Sequence, residues 1–412
     1  MKPTVSKQLA TADDPIPDTC GLRNTFPENG WAPKTVDDYT SAYINKVSNP
    51  VVVAKDIIDK IKLVNSEMKI FCDWDENQIM QAAKESLHRH STGKILGPFD
   101  GVPIVLKDQF DTIGLTVRSG LPVPKHDPCT KDSAMTERIK AQGMIIIGFT
   151  NMHQIGVGVT GANPSPFHGV TKNPVNPLYH PGASSSGTAA AIAIGLVPWG
   201  VGTDGGGSVR MPAAYCDMSA IKPSAGRIPH RGYAGGTNSC VGPMANTMVD
   251  CSKLYSIMAG PDFTDESKIT WYQPKVEVPK TVSTKSPFTG LKVGVDFGWI
   301  KEADDDVQEA FHKKIEEIEK AGAEIVSVQV PDIMNMHVAH YVTFTQEISA
   351  QIQQYFEDIE HVGLGNVHFC TNCTNYYCFI LTKMSSLFWV LDMTISKQKT
   401  TVLPSNSGRI SG

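Results

Sequence analysis

Lys107, Ser184 and Ser208 have the residue types and spacing to do chemistry together. Ser184 lies in Pro181-Gly-Ala-Ser-Ser-Ser-Gly-Thr188 and Ser208 in Gly202-Thr-Asp-Gly-Gly-Gly-Ser-Val-Arg210, two glycine loops bracketing an Ala-rich helical pattern and a strand-like run. Gly205, Gly206 and Gly207 leave the backbone bare, so several N–H groups can converge on one point just ahead of a serine. An oxyanion hole feeding a nucleophile at Ser208 needs that arrangement. A serine hydroxyl attacks poorly unless a base takes its proton. None of the twelve histidines falls inside either loop, although His153, His168 and His180 stand nearby. Lys107 ends the apolar run Gly101-Val-Pro-Ile-Val-Leu106, where a buried strand delivers its amine to the interior. Desolvation there disfavours the ammonium and lowers the lysine pKa. The expected geometry is an uncharged amine within hydrogen-bonding reach of both serine hydroxyls.

Taken singly, each serine reads as a helix N-cap and Lys107 as a solvated strand-end lysine; only the constellation turns them into a site. Gly156-Val-Gly-Val-Thr-Gly161 matches the dinucleotide fingerprint, but Ala162-Asn-Pro-Ser-Pro166 cannot open the helix that would hold a pyrophosphate. The Gly202–Ser208 loop likewise lacks the Gly-Lys-Ser/Thr ending of a phosphate loop. His368, Cys370, Cys373 and Cys378 have zinc-ligand types, but one Cys-x2-Cys pair without a second is weak, and chance thiols are the simpler account.

The lysine and the two loops resemble the amidase signature family. GASSSGT and GTDGGGSVRMPAAYC carry the likeness, with the serines 24 residues apart and Gly97-Pro-x-x-Gly-Val-Pro-x-x-x-Lys107 upstream. It spans about residues 31–347. The resemblance implies an α/β fold, a mixed β-sheet sandwiched between α-helices, and hydrolysis of carboxamide bonds through a Ser-Ser-Lys triad and an acyl-enzyme. Ser208 is then the nucleophile, and Ser184, after a cis peptide bond, relays its proton to Lys107, which later protonates the leaving amine. The oxyanion hole falls on the backbone of Gly205, Gly206, Gly207 and Ser208, with Asp204 and Arg210 supporting the loop. Thr203 belongs to the motif without an evident chemical role. No metal and no organic cofactor is implied.

Within the family, the third serine of SSSG, the GTDGGGS loop, Thr150-Asn-Met-His153 and the helical lead-in are most similar to plant-type fatty-acid amide hydrolases. That likeness implies a lipid amide such as an N-acylethanolamine as substrate, and is compatible with peripheral membrane contact and a homodimer. One rival is a small-amide amidase, or an amidotransferase A-type subunit passing ammonia to a partner. Another is a truncated, inactive homologue acting as a binding protein. Ala183 and Ser186 replace glycines common in the family, and Gln154 replaces a frequent acidic residue. Asp217 replaces a glycine after Cys216 and puts a charge beside the helix that supports the nucleophile. Family chains usually continue beyond 412 residues, so part of the C-terminal region is expected to be lacking.

What must position these residues is a large core, which 412 residues can bury. Charged residues at 19% and hydrophobic ones at 41% mark a globular chain, and a net charge of −5 without a basic run argues against a nucleic-acid partner. The first thirty residues contain no apolar stretch of signal-peptide length, and nine scattered cysteines suit reduced thiols. An intracellular protein is expected, cytoplasmic or peripherally membrane-associated.

The texture divides the chain into an extended arm (1–35), a helical lead-in (36–96), an α/β core (97–368) and an atypical tail (369–412). Apolar spacing predicts helices at 36–47, 51–64 and 76–88. Short apolar runs predict buried strands at 102–106, 144–148 and 196–201. Strands at 291–295 and 324–330 flank a predicted helix at 304–321. Residues 261–287 read as a surface excursion, and 376–391 as a buried or interfacial helix too short to span a bilayer.

Overall fold

Three capped helices lead into the core. α1 (Val36–Ile44) opens on a capping box between Thr35 and Asp38. α2 (Pro50–Met68) starts where Asn49 accepts the N–H groups of Val51 and Val52, with proline at its first position. Its residues Ala54, Ile57, Ile58, Ile61, Val64 and Met68 recur at helical spacing and are all buried. Each fully buried aliphatic side chain of this kind stabilises the fold by roughly 1.5–3 kcal/mol over an exposed one. α3 (Glu76–Thr92) is capped by Asp75 and stopped by Gly93 in the left-handed region. The predicted helices 36–47, 51–64 and 76–88 thus correspond to three real ones. Between the last two, β1 (Phe71–Asp73) joins the central sheet, so the lead-in contributes directly to the core.

The computed structural model describes residues 31–122, 129–158, 168–233, 235–265 and 288–355. The cysteine group at 370–378, the apolar stretch 376–391, most of the arm, residues 159–161 of the glycine fingerprint and most of the 261–287 excursion lie outside them. The described residues fall into two compact units, 31–265 with 336–355, and 288–335.

In the first unit the chain continues through β2 (Pro103–Lys107), α4 (Ala134–Ala141), β3 (Ile145–Thr150), α5 (Ser186–Ala193), β4 (Trp199–Asp204), α6 (Arg210–Tyr215), β5 (Ser219–Ala220), β6 (Cys240–Ala245) and α7 (Met248–Met258). The sheet order is β1-β3-β2-β4-β6-β5. β2 lies parallel to both β3 and β4, while β1, β6 and β5 add antiparallel edges, giving a mixed sheet. Val105, Ile147 and Met244 pack with Ile57, Ile61, Ile79, Ile192 and the small residues Ala189, Ala190 and Ala191 on one side. Ile104, Leu106, Trp199 and Val201 pack with Tyr39, Met135, Ile139 and Leu254 on the other. The sheet is therefore sandwiched between helical layers, as the resemblance implied, and all five residues of β2 are buried. Among the described residues no helix is long and apolar enough to cross a membrane.

The second unit holds a parallel pair, β7 (Lys292–Val295) and β8 (Glu324–Ser327), linked through α8 (Phe297–Ile300) and α9 (Asp305–Lys320). This is the predicted strand-helix-strand passage, and the parallel pairing requires such a crossover. α10 (Ile333–Tyr355) then carries the chain back into the first unit.

Candidate active site

Lys107 is the last residue of β2, and the strand delivers its side chain to a place with no solvent exposure. Its Nζ lies 2.6 Å from Ser184 Oγ and 2.7 Å from Thr203 Oγ1. Burial lowers the Lys107 pKa to about 7, against the opposing pull of the Asp204 and Asp108 carboxylates. Near neutral pH a large fraction of the amine is therefore uncharged and able to accept the Ser184 proton.

Ser184 follows a cis peptide bond from Ala183 and is itself buried. Ser185 is the N-cap of α5 and Val209 that of α6, so neither Ser184 nor Ser208 spends its hydroxyl as a cap. The His153 N–H donates to the Ser184 carbonyl at 3.1 Å, and Gly156 stands against Ser184 Oγ, so the 153–156 segment walls the hydroxyl. The histidines nearest in sequence are engaged elsewhere. A His153 ring nitrogen meets the Gln154 carbonyl, and His180 Nδ1 accepts the Gly182 N–H.

Ser208 joins the cluster through the backbone. The Ser185 N–H donates to the Ser208 carbonyl at 3.2 Å, which locks the two serine loops together, and Ser208 is only 6% exposed. The second hydroxyl on Lys107 is not Ser208, as the sequence had led us to expect, but Thr203. Thr203 Oγ1 donates to Gln109 Oε1 at 2.7 Å, so toward Lys107 it acts as an acceptor. One amine N–H is then fixed on Thr203, which leaves the lone pair of the uncharged amine free for Ser184. Thr203→Val is accordingly expected to lower kcat by roughly 10–100-fold through lost orientation of the amine, and Thr203→Ser to restore most of it, checked by steady-state rates.

Asp204 holds the glycine loop in shape. Its carboxylate accepts the Gly207 N–H at 2.7 Å and the Val209 N–H at 3.2 Å, and Arg210 Nε donates to it at 2.9 Å. Burial by itself would raise the Asp204 pKa, but the Arg210 guanidinium and these N–H groups hold it below the usual carboxylate value. Asp204 and Arg210 thus bond to each other, and Asp204 to the loop backbone. The Gly207 N–H, expected to face an oxyanion, here donates to Asp204. The Gly207 φ of 119° also suits glycine alone. Among the described residues the N–H groups of Gly205, Gly206 and Ser208 donate to no protein acceptor, which leaves these three open to an oxyanion.

The Asp217 charge, expected to bear on the supporting helix, is exposed. What that position carries instead is a backbone φ of 53°, one residue past the Cys216 C-cap of α6, where glycine is preferred. Asp217→Gly is expected to raise stability by about 1 kcal/mol, read from the urea midpoint.

The chain belongs to the amidase family, whose profile matches residues 53–393. More particularly, it is 30% identical over 334 residues to a fatty acid amide hydrolase of Arabidopsis thaliana, covering 78% of this chain and 54% of that protein. It is 32% identical over 325 residues to the A-type subunit of a glutamyl-tRNA(Gln) amidotransferase from Thioalkalivibrio sulfidiphilus, covering 78% of this chain and 66% of that one. The chain thus spans between about half and two thirds of the length of these curated relatives. A peptide amidase solved with the inhibitor chymostatin superposes with a TM-score of 0.71 at 22% identity, over 79% of this chain and 68% of that one, and shares its fold.

Two side chains that the structure brings to the Lys107 amine escaped the sequence reading. Thr203 was noted only as part of a motif, and Gln109, two residues beyond Lys107, was not noted at all. The signal was available in the alternation of polar side chains at the ends of adjacent strands, Lys107 closing β2, Gln109 just beyond it and Thr203 on β4.

Proposed function

We propose that this chain hydrolyses carboxamide bonds through an acyl-enzyme on Ser208. The observation that carries the reading is the fully buried Lys107 amine, titrating near 7, within 2.6 Å of Ser184 Oγ. In this mechanism uncharged Lys107 takes the Ser184 proton, Ser184 takes that of Ser208, and Ser208 Oγ bonds to the amide carbon. The carbonyl oxygen becomes an oxyanion beside the Gly206 and Ser208 N–H groups. As the tetrahedral adduct collapses, the proton returns through Ser184 to the leaving nitrogen, and the carbon–nitrogen bond breaks. Water then repeats the sequence on the acyl ester and releases the acid. No metal or organic cofactor is called for in these steps.

For the substrate we favour a long-chain acyl amide such as an N-acylethanolamine, supported by the likeness to plant proteins named fatty acid amide hydrolase at 30% identity. Peripheral membrane contact and a homodimer would accompany a lipid substrate. The second reading, an amidotransferase A-type subunit in a larger complex, draws on the 32% identical relative of that name. An acyl-chain series of ethanolamides, with ethanolamine release measured, separates the two. The lipid reading expects kcat/KM to climb with chain length; equal rates for acetyl and palmitoyl amides would remove it.

A further inference from the structure

The peptide joining Gly205 to Gly206 belongs to the donor loop, and neither glycine has a side chain with which to fix it. Its carbonyl end is held from outside. His340 of α10 bonds through Nε2 to the Gly205 carbonyl oxygen. A carbonyl only accepts, so Nε2 carries the proton whether the ring is neutral or charged. In a trans peptide the C=O and the following N–H point in opposite directions, and the only cis bond among the described residues is Ala183–Ser184. Anchoring the Gly205 oxygen therefore turns the Gly206 N–H away from the imidazole and polarises it.

α10 is seated to apply that restraint. The Phe344 ring fills the space that a Cβ at position 205 would need, and the Tyr341 hydroxyl lies 3.4 Å from where one would stand at Gly206. The His340 ring stacks on Phe344 with the planes 12° apart. Three residues further along, Glu347 accepts from Thr237 Oγ1 and, at 3.4 Å, from the Asn238 N–H, which ties the helix to the neighbouring loop. The Gly207 N–H is already committed to Asp204, so the loop has few other means of setting the Gly206 peptide.

We infer that His340 is a positioning residue of the oxyanion hole: its Nε2–H holds the Gly205–Gly206 peptide so that the Gly206 N–H meets the developing oxyanion. The inference rests on the reading of Ser208 as nucleophile. It predicts an effect confined to the transition state, because the substrate carbonyl gains its full charge only there.

The test compares the wild-type chain with H340F, which keeps the ring stack but has no donor, and H340Q, which restores an N–H. Each is assayed with the ethanolamide that the wild type turns over best and with the trifluoromethyl ketone of the same acyl chain, whose adduct oxygen occupies the hole. H340F is expected to lose about tenfold in kcat with KM within about twofold, and to bind the ketone about tenfold more weakly. H340Q is expected to stay within about threefold of wild type on both. Thermal unfolding confirms that the variants are folded, and H340L takes the place of H340F with the same expectation should the latter not fold. A folded H340F with wild-type kcat and ketone affinity, or an H340Q as impaired as H340F, overturns the inference alone. A wild-type chain that neither turns over amides nor binds the ketone overturns the nucleophile reading and this inference with it.

Discussion

Replacing Lys107 by methionine is expected to lower kcat/KM by roughly 10²–10⁴-fold, the usual loss with a general base, and to stabilise the fold. Both effects have one origin, the cost of burying an amine with no solvent contact. That cost is what brings its pKa to about 7, so the side chain that makes proton transfer feasible also weakens the native state. The sign follows from proton binding. Between about pH 7 and the ordinary lysine value of about 10.4, the unfolded chain holds a proton on this amine that the folded chain does not, so stability rises with pH there. Below about pH 7 both states are protonated and the penalty is complete. The gain from methionine should therefore be largest at neutral and lower pH and should shrink toward pH 10. Urea midpoints for the two proteins at pH 6 and pH 9 check it; a gain that does not shrink would mean that burial of charge is not the cause.

Ser208→Ala is expected to cost more, roughly 10⁴–10⁶-fold in kcat, because without the attacking oxygen the other groups have nothing to deliver to the substrate. Its fold should be intact. The bond that joins Ser208 to the other serine loop runs from the Ser185 N–H to the Ser208 carbonyl, and alanine keeps that carbonyl. Circular dichroism and the ethanolamide assay on one preparation would show the two facts together. A Ser208→Ala protein within tenfold of wild type would move the nucleophile elsewhere.

Much of this arrangement could be read from the residues because chemistry and local geometry coincide in short segments. Lys107 closes an apolar run that reads as a buried strand, and two glycine loops flank an Ala-rich helix; singly each has a plain structural reading, and only their joint spacing marks a site. Legibility failed where tertiary pairing overrode local appearance. Gly202, Thr203 and Asp204 look like a loop, yet they pair with Gly242, Val241 and Cys240 on β6, and that register sets Thr203 within reach of Lys107. β6 itself was hidden because Pro243 argues against a strand inside a sheet; here its carbonyl still accepts the Ile221 N–H and the strand is retained. The bond from the Gly207 N–H to Asp204 was hidden for a similar reason, since nothing local says that the carboxylate will fold back onto it. α10 reaches the glycine loop from more than 130 residues away, and no spacing rule records such a contact.

In the proposed mechanism uncharged Lys107 activates Ser208 through Ser184. The most direct measurement is the rate at which a fluorophosphonate modifies Ser208, located by mass spectrometry and followed from about pH 5 to 9, a range that brackets the Lys107 value of about 7. Asp108, pushed up to about 7 by burial, titrates in the same range, so Asp108→Asn serves as the control. Because the Asp108 charge raises the Lys107 pKa, that variant should keep the acid limb and move it to lower pH. An adduct is expected on Ser208, formed at a rate that rises through one ionisation near pH 7 in the wild type and shows no such rise in Lys107→Met. A folded wild-type chain left unmodified at Ser208, or Lys107→Met labelled at the wild-type rate with the same limb, would contradict the mechanism.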